Sequence, residues 1–279
     1  MKSKLSIIIV AVASCLIGTC IQAALSDPYE IINRCYKASG GLDKLKTQKT
    51  SYVEGKIVIV GAGIEGTFSK WSEIPINNRQ DVDLKVMKVI TGDNGDYAWS
   101  VDANGKVQIA RDSVTLKQRR IQELYADYDH LNRDSKYFRL TFMGIDTAGG
   151  ADCYGVRIAN TINTDTTLNY YDTTSFLLKK SVNLNPDGQN ITWYSDYRPV
   201  DGVLNAFKQD ALSLPTGQRQ TVEITKFEIN IPVDSSRFEP PQTDVRDFAF
   251  ANGKSAENIP FKFIERHIYL IVTINGKTN

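Results

Sequence analysis

Three places in the sequence carry residue types that could do chemistry. Ile145-Asp146-Thr147-Ala148-Gly149 approaches the loop in which two carboxylates share one proton and activate water, but its third position is Ala148 and the chain has no second such segment. Asp165-Thr166-Thr167 and Asp172-Thr173-Thr174 also lack the glycine, so all three read as turns between strands. Val60-Gly61-Ala62-Gly63-Ile64-Glu65-Gly66 matches a dinucleotide-binding fingerprint, yet that chemistry needs a helix N-terminus facing the pyrophosphate. Here Thr67-Phe68-Ser69-Lys70-Trp71-Ser72 alternates and Pro75 follows, so the glycines read as a hairpin loop. His130, beside Asp129 at a helix end, has no accompanying Ser or Cys nucleophile elbow and reads as solvated or locally satisfied; His267 in an apolar strand reads as structural. With two histidines and four cysteines, a multi-His metal site or a cysteine-rich zinc module is excluded. No catalytic residue and no cofactor or metal site is expected.

What remains is the interior. Trp71, Trp99 and Trp193, with Met87, Phe142, Tyr170 and Phe207, fall on strands of a large sheet. The three tryptophans are the candidates for lining a ligand cavity. Side-chain alternation fits a filled core and a concave apolar cavity equally well.

The elements that would position them come from periodicity. Asp27-Pro28 opens a helix through Tyr36 that Gly40-Gly41 stops, and a short helix spans Leu42 to Lys49. Four strands follow: Tyr52–Val60, Thr67–Ile74, Lys85–Thr91 and Tyr97–Val101. An amphipathic helix between Asp112 and Asn132 carries Leu116, Ile121, Leu124, Tyr125, Tyr128 and Leu131 on one stripe. Seven more strands run from Phe138 to Asn230, joined by short Gly-containing turns. Sequential hairpins favour one antiparallel meander, and about eleven strands must curl, since open sheets rarely exceed ~10. The expected fold class is α+β, a half-barrel with the helices covering its concave face.

Pro232 to Pro241 reads as a linker. Beyond it Phe248, Phe250, Phe261, Phe263 and Ile268–Ile274 are strand-like, with hairpin turns at Asn252-Gly253 and Asn275-Gly276. About 38 residues are too few to fold alone without staples, so the strand from Ile268 is expected to dock on the sheet edge or to promote aggregation.

Lys2 and Lys4, the apolar run Leu5–Cys20 and a cut after Ala23 describe a secretory signal peptide; Val12-Ala13-Ser14-Cys15 also fits a lipoprotein box that would lipidate Cys15. The apolar run is shorter than the ~20 residues of a spanning helix, so no stable membrane span is expected after cleavage. In an oxidising compartment a Cys35–Cys153 disulfide is allowed, and so are two buried thiols. Lys+Arg is 33 against Asp+Glu 32 in 279 residues, so no charge surplus marks a nucleic-acid partner.

Several stretches resemble a known family. Tyr29-Glu30-Ile31-Ile32 through Leu42-Asp43-Lys44-Leu45, Gly92–Trp99, Tyr171–Leu178, Tyr194–Val203 and Glu228–Pro241 are together similar to exported bacterial domains of the lipoprotein-sorting (LolA/LolB-like) fold. At Leu204-Asn205-Ala206-Phe207 a proline usually precedes the phenylalanine. The resemblance implies a periplasmic, non-enzymatic carrier whose partner is an acyl chain or lipoprotein. Such units are also similar to leaders of retropepsin-like aspartyl proteases, and residues 247–277 look like the approach to that protease, without its Asp-Thr/Ser-Gly. The division implied is 1–23 signal peptide, 24–241 half-barrel and 242–279 linker with a truncated β unit; the alternative function is the accessory part of a split peptidase, with a separate peptidase partner.

Overall fold

The computed structural model describes residues 25–242, 259–264, 267–270, 273–274 and 277–278. The signal segment 1–23, the lipidation candidate Cys15, the strand-like Phe248 and Phe250, and the turns Asn252-Gly253 and Asn275-Gly276 lie outside the described residues.

The Asp27 side chain accepts a hydrogen bond from the Tyr29 amide, and Pro28 fills the first position of α1 (Pro28–Ala38). The helix stops at Gly40, whose φ is 126° and where a Cβ would stand 2.6 Å from the Gly202 carbonyl oxygen. Both the left-handed backbone and the close approach require glycine. After α2 (Leu42–Thr47) come β1 (Thr50–Val60), β2 (Ile64–Glu73), β3 (Asn77–Asp83), β4 (Lys88–Asp93), β5 (Ala98–Val101) and β6 (Val107–Ala110). Asp112 caps α3 (Ser113–Ala126) by accepting from the Val114 and Thr115 amides. Left-handed Tyr128 separates α3 from a 3₁₀ turn at Asp129–Leu131, so the apolar stripe read as one helix to Asn132 is two pieces. Seven strands complete the sheet: β7 (Phe138–Ala148), β8 (Ala151–Asn160), β9 (Thr166–Asp172), β10 (Leu178–Asn185), β11 (Gly188–Val200), β12 (Val203–Leu214) and β13 (Gln218–Ile229).

All thirteen strands form one antiparallel sheet in the order β6-β5-β4-β3-β2-β1-β13-β12-β11-β10-β9-β8-β7. Each neighbour is the next strand in the chain except β1 beside β13, so a meander is folded back until its first strand meets its last. Two strands went unread in the sequence. β3 is Asn-Asn-Arg-Gln-Asp-Val-Asp, with one apolar side chain, and β6 is a four-residue edge. Gly61–Gly63 is the β1–β2 hairpin loop, as expected, whereas Asp146-Thr147-Ala148, read as a turn, pairs with Ala151–Cys153 as the end of β7, and only Gly149-Gly150 turns.

The sheet is strongly curled, and α3 shows how far. Gln118 donates to Asp165 at 2.6 Å, one residue before β9. Its neighbour Arg119 pairs with Asp93 of β4 at 3.0 Å and donates to the Asp96 and Gly95 carbonyls. β4 and β9 are eight strand spacings apart, which on a flat sheet would be roughly 38 Å at ~4.8 Å each. Two adjacent side chains cannot span that distance. The edge strands β6 and β7 are not paired, so the barrel is left open.

Helix coverage is narrower than expected. Ile31 and Ile32 of α1 and Ile121 and Leu124 of α3 bury against Phe138, Leu140, Val156, Ile158 and Tyr171, so the buried helix–sheet core lies at the β7–β9 flank. The supposed linker is packed structure: Phe238, in a 3₁₀ turn at Ser235–Phe238, is 1% exposed, and its carbonyl accepts from Trp99 Nε1 at 2.8 Å. Farther on, β14 (Phe261–Ile264) pairs with β15 (His267–Leu270), and β16 (Thr273–Ile274) with β17 (Lys277–Thr278). None of the four joins the large sheet, so the strand from Ile268 does not dock on its edge. Phe261, Phe263, Ile268, Tyr269 and Leu270 are exposed.

Removing Arg119 would strand Asp93 as a buried, unpaired charge, so Arg119→Ala is expected to cost about 3–5 kcal/mol in urea unfolding. Lys88→Ala breaks only the exposed pair with Asp83 and is expected to cost under about 1 kcal/mol. Similar losses for the two would show that the α3 bridge does not hold the curl.

Candidate functional site

Across the middle of the sheet, the face that carries the helices lines a trough with no helix residue in its wall. Register defines its residues strand by strand: Val82 opposes Phe68, Lys70 opposes Val53, Ile57 opposes Val222, Val222 opposes Gln209, and Gln209 opposes Tyr194. Partners across an antiparallel pair share a face, so these side chains line one continuous trough. It holds about 560 Å³ and reaches from Phe68, Lys70 and Val82 to Leu178, Tyr194 and Tyr197, with Ile224 and Phe227 in its wall. This lies within the roughly 300–1,000 Å³ of small-molecule sites. The polar groups in the wall are the amides Gln80, Asn205, Gln209 and Gln220, the two tyrosines and Lys70. Tyr197 is tied back by donating to the Leu178 carbonyl. Lys70 is exposed at the mouth, and desolvation by the protein around it lowers its pKa.

The three tryptophans are not in this trough. Trp71 opposes Tyr52 and Arg79, and Arg79 opposes Gly92, which in turn opposes Trp99. Every one of these lies on the outer face. The Trp99 indole covers Gly92 so closely that a Cβ there would stand 2.5 Å from the ring. Trp71 stacks with Tyr52 at 4.9 Å and lies under Arg237. Trp193 alternates with Tyr194 and lines a separate outer cleft of about 630 Å³, whose walls include Lys179, Asp210 and Arg219. Of the accompanying residues, Phe142 packs on the helix-bearing side, Tyr170 on the outer side with Cys153 and Val182, Phe207 against Phe227, and Met87 is exposed in a turn. The groups that do line the trough, Lys70 above all, were missed: β2 alternates cleanly, but its aromatic Trp71 marks the wrong face as inward.

Cys35, on α1 above one face, and Cys153, buried on the other, are both free thiols with the sheet between them. Burial pushes the Cys35 thiol up to about 11. His130 is buried, not solvated. It hydrogen-bonds Tyr36 Oη at 2.9 Å and packs among Tyr125, Tyr128 and Phe138. Burial pushes its pKa down to about 4, against a smaller opposing pull from Asp129. It sits in the core beneath α3 and does not face the trough. His267 lies on β15 near Tyr269. Among the described residues no group of three or more His, Cys, Asp or Glu side chains could hold a metal ion, and no helix is long and apolar enough to cross a membrane.

No family model and no curated protein matches the chain in sequence. Among the solved structures that share its fold are the following two. A LolA superfamily protein from Nitrosomonas europaea is 12% identical with a TM-score of 0.52, covering 77% of this chain and 98% of its own. A DUF1329 family protein from Desulfovibrio piger is 13% identical with a TM-score of 0.51, with the same coverage of 77% and 98%. The fold is LolA-like.

His130 makes stability depend on pH. Its folded-state pKa lies below the unfolded value, so the unfolded chain takes up a proton first, and stability present above about pH 6.5 is lost as the pH falls toward 4. The loss is expected to reach about 3 kcal/mol by pH 4. His130→Gln should be less stable at pH 7 and should lack that slope in urea titrations across the window. An unchanged slope would remove His130 as its source.

Proposed function

We propose that this chain is an exported, non-catalytic binding domain that holds an apolar, lipid-like ligand in the trough on the helix-bearing face of its curled sheet. The observation that carries the reading is the trough itself: about 560 Å³ walled by Val53, Ile57, Phe68, Val82, Val222 and Ile224, with no helix residue in its lining. Affinity would come from burial of the ligand's hydrocarbon, worth ~0.8 kcal/mol per methylene. The LolA-like fold supports the reading as a shared architecture. Export through a cleaved segment 1–23 belongs to this proposal, and it rests on the basic start and short apolar run of that segment.

The division at residue 242 also belongs here. The pairing of β14 with β15 and of β16 with β17, apart from the large sheet, supports a separate C-terminal β unit. That leaves an accessory role beside a peptidase as the second reading.

Native tryptophans on the outer face are poor reporters of the trough. Gln209→Trp places an indole inside it, and its emission is expected to shift to shorter wavelength when a long-chain acyl compound is added. Native mass spectrometry of the wild-type protein from the cell envelope is expected to show a bound, extractable lipid. A clean apo mass together with an unresponsive Gln209→Trp protein would sink the carrier reading.

A further inference from the structure

The trough contains one cation and, in its lining, no carboxylate. Lys70 stands on β2 between Val53 of β1 and Gln80 of β3, its two cross-strand partners. These are the positions from which a sheet lysine ordinarily receives an opposite charge, and both are neutral. Neighbouring basic residues are satisfied: Arg79 pairs with Asp81 at 2.8 Å, Lys88 with Asp83 at 3.1 Å and Lys226 with Glu228 at 2.8 Å. The nearby carboxylates Glu54 and Asp81 lie on the outer face, engaged by Tyr52 and Arg79. Among the described residues, no hydrogen bond or ion pair holds the Lys70 ammonium.

Lys70 is exposed at the mouth of this largely apolar trough, where an anionic headgroup that reaches it gains a charge-assisted hydrogen bond that a neutral headgroup cannot make. The structure provides the pocket and the cation and withholds the anion. We infer that the trough selects a single-chain anionic amphiphile, a long-chain fatty carboxylate, whose headgroup pairs with Lys70 at the mouth while its chain lies along Phe68, Val222 and Ile224. The inference rests on the reading of the trough as an apolar-ligand site. Size agrees with it. A methylene takes up roughly the ~30 Å³ of one water, so a chain of about twelve to sixteen carbons needs about 360–480 Å³, within the 560 Å³ present. The amides Gln80 and Gln209 leave the wall neutral, so Lys70 alone sets the charge preference. The outer cleft at Trp193 contrasts with this, because its lining includes a carboxylate, Asp210, beside the cations Lys179 and Arg219.

The test compares dodecanoate with dodecanol, ligands of equal chain and different head, by isothermal titration calorimetry on the wild-type protein, Lys70→Met and Lys70→Arg. Wild type is expected to bind the carboxylate at least about tenfold more tightly than the alcohol. Lys70→Met should erase that preference by weakening the carboxylate alone, and Lys70→Arg should restore it. Equal binding of both ligands by wild type, or a Lys70→Met protein that keeps the preference, overturns the anion inference and leaves the apolar trough standing. Failure of wild type to bind either ligand overturns the trough reading itself.

Discussion

A thirteen-strand antiparallel sheet cannot remain flat and bury one face, and in this molecule the curl is fixed where α3 reaches both arms at once. Arg119 meets Asp93 and two carbonyls near one end of the sheet, and Gln118 meets Asp165 near the other. Arg119 and Asp93 are both nearly enclosed, so the pair acts in low dielectric; Nε meets the carboxylate as a charge contact without a directed hydrogen bond, and the two terminal nitrogens donate to the carbonyls. The other features follow from that bridge. The β7–β9 flank gains its cover from α1 and α3, the middle of the sheet becomes the floor of a trough, and the two unpaired edges stay apart instead of closing into a barrel.

The outer face solves a different problem. A curled sheet with a trough on its inner face still needs packing outside, and the segment after β13 supplies it. Phe238 inserts there, its carbonyl fixes Trp99, and Arg237 lies over Trp71. Rings of this size bring large buried area and cation–π attraction to a surface that would otherwise be wet. A second outer cluster of Ala148, Cys153, Tyr170 and Val182 does the same at the β8–β10 end. The tryptophans therefore stabilise the wall of the trough from behind.

Much of the architecture was legible in the residues. Helix starts at Asp27-Pro28 and Asp112, the stop at Gly40, the glycine-rich hairpins and eleven of the thirteen strands all follow from capping, turn chemistry and period-two alternation. What escaped had local causes. β3 is a strand because it is paired on both sides, not because its own residues favour one, and β6 is too short to show a period. Pro232–Pro241 has linker composition, yet one buried phenylalanine and one indole hydrogen bond suffice to dock it.

The candidate site was harder to read than the fold, and β2 shows why. Alternation in Thr67-Phe68-Ser69-Lys70-Trp71-Ser72 separates two faces but does not say which is inward, and the usual guide is to turn the largest aromatic in and the charge out. Here that guide inverts the strand. Trp71 finds its burial under Arg237 and beside Tyr52, contacts made by residues far away in the chain, and this leaves Phe68 and Lys70 on the face that encloses the trough. A one-residue parity choice moves every side chain of a strand to the other face, and the packing of residues 235–239 on the outer side goes with Phe68 and Lys70 facing the trough. A lysine that reads locally as a surface charge is exposed at the mouth and is also the one cation lining an apolar trough, a placement that emerges only once both faces of the sheet have been assigned.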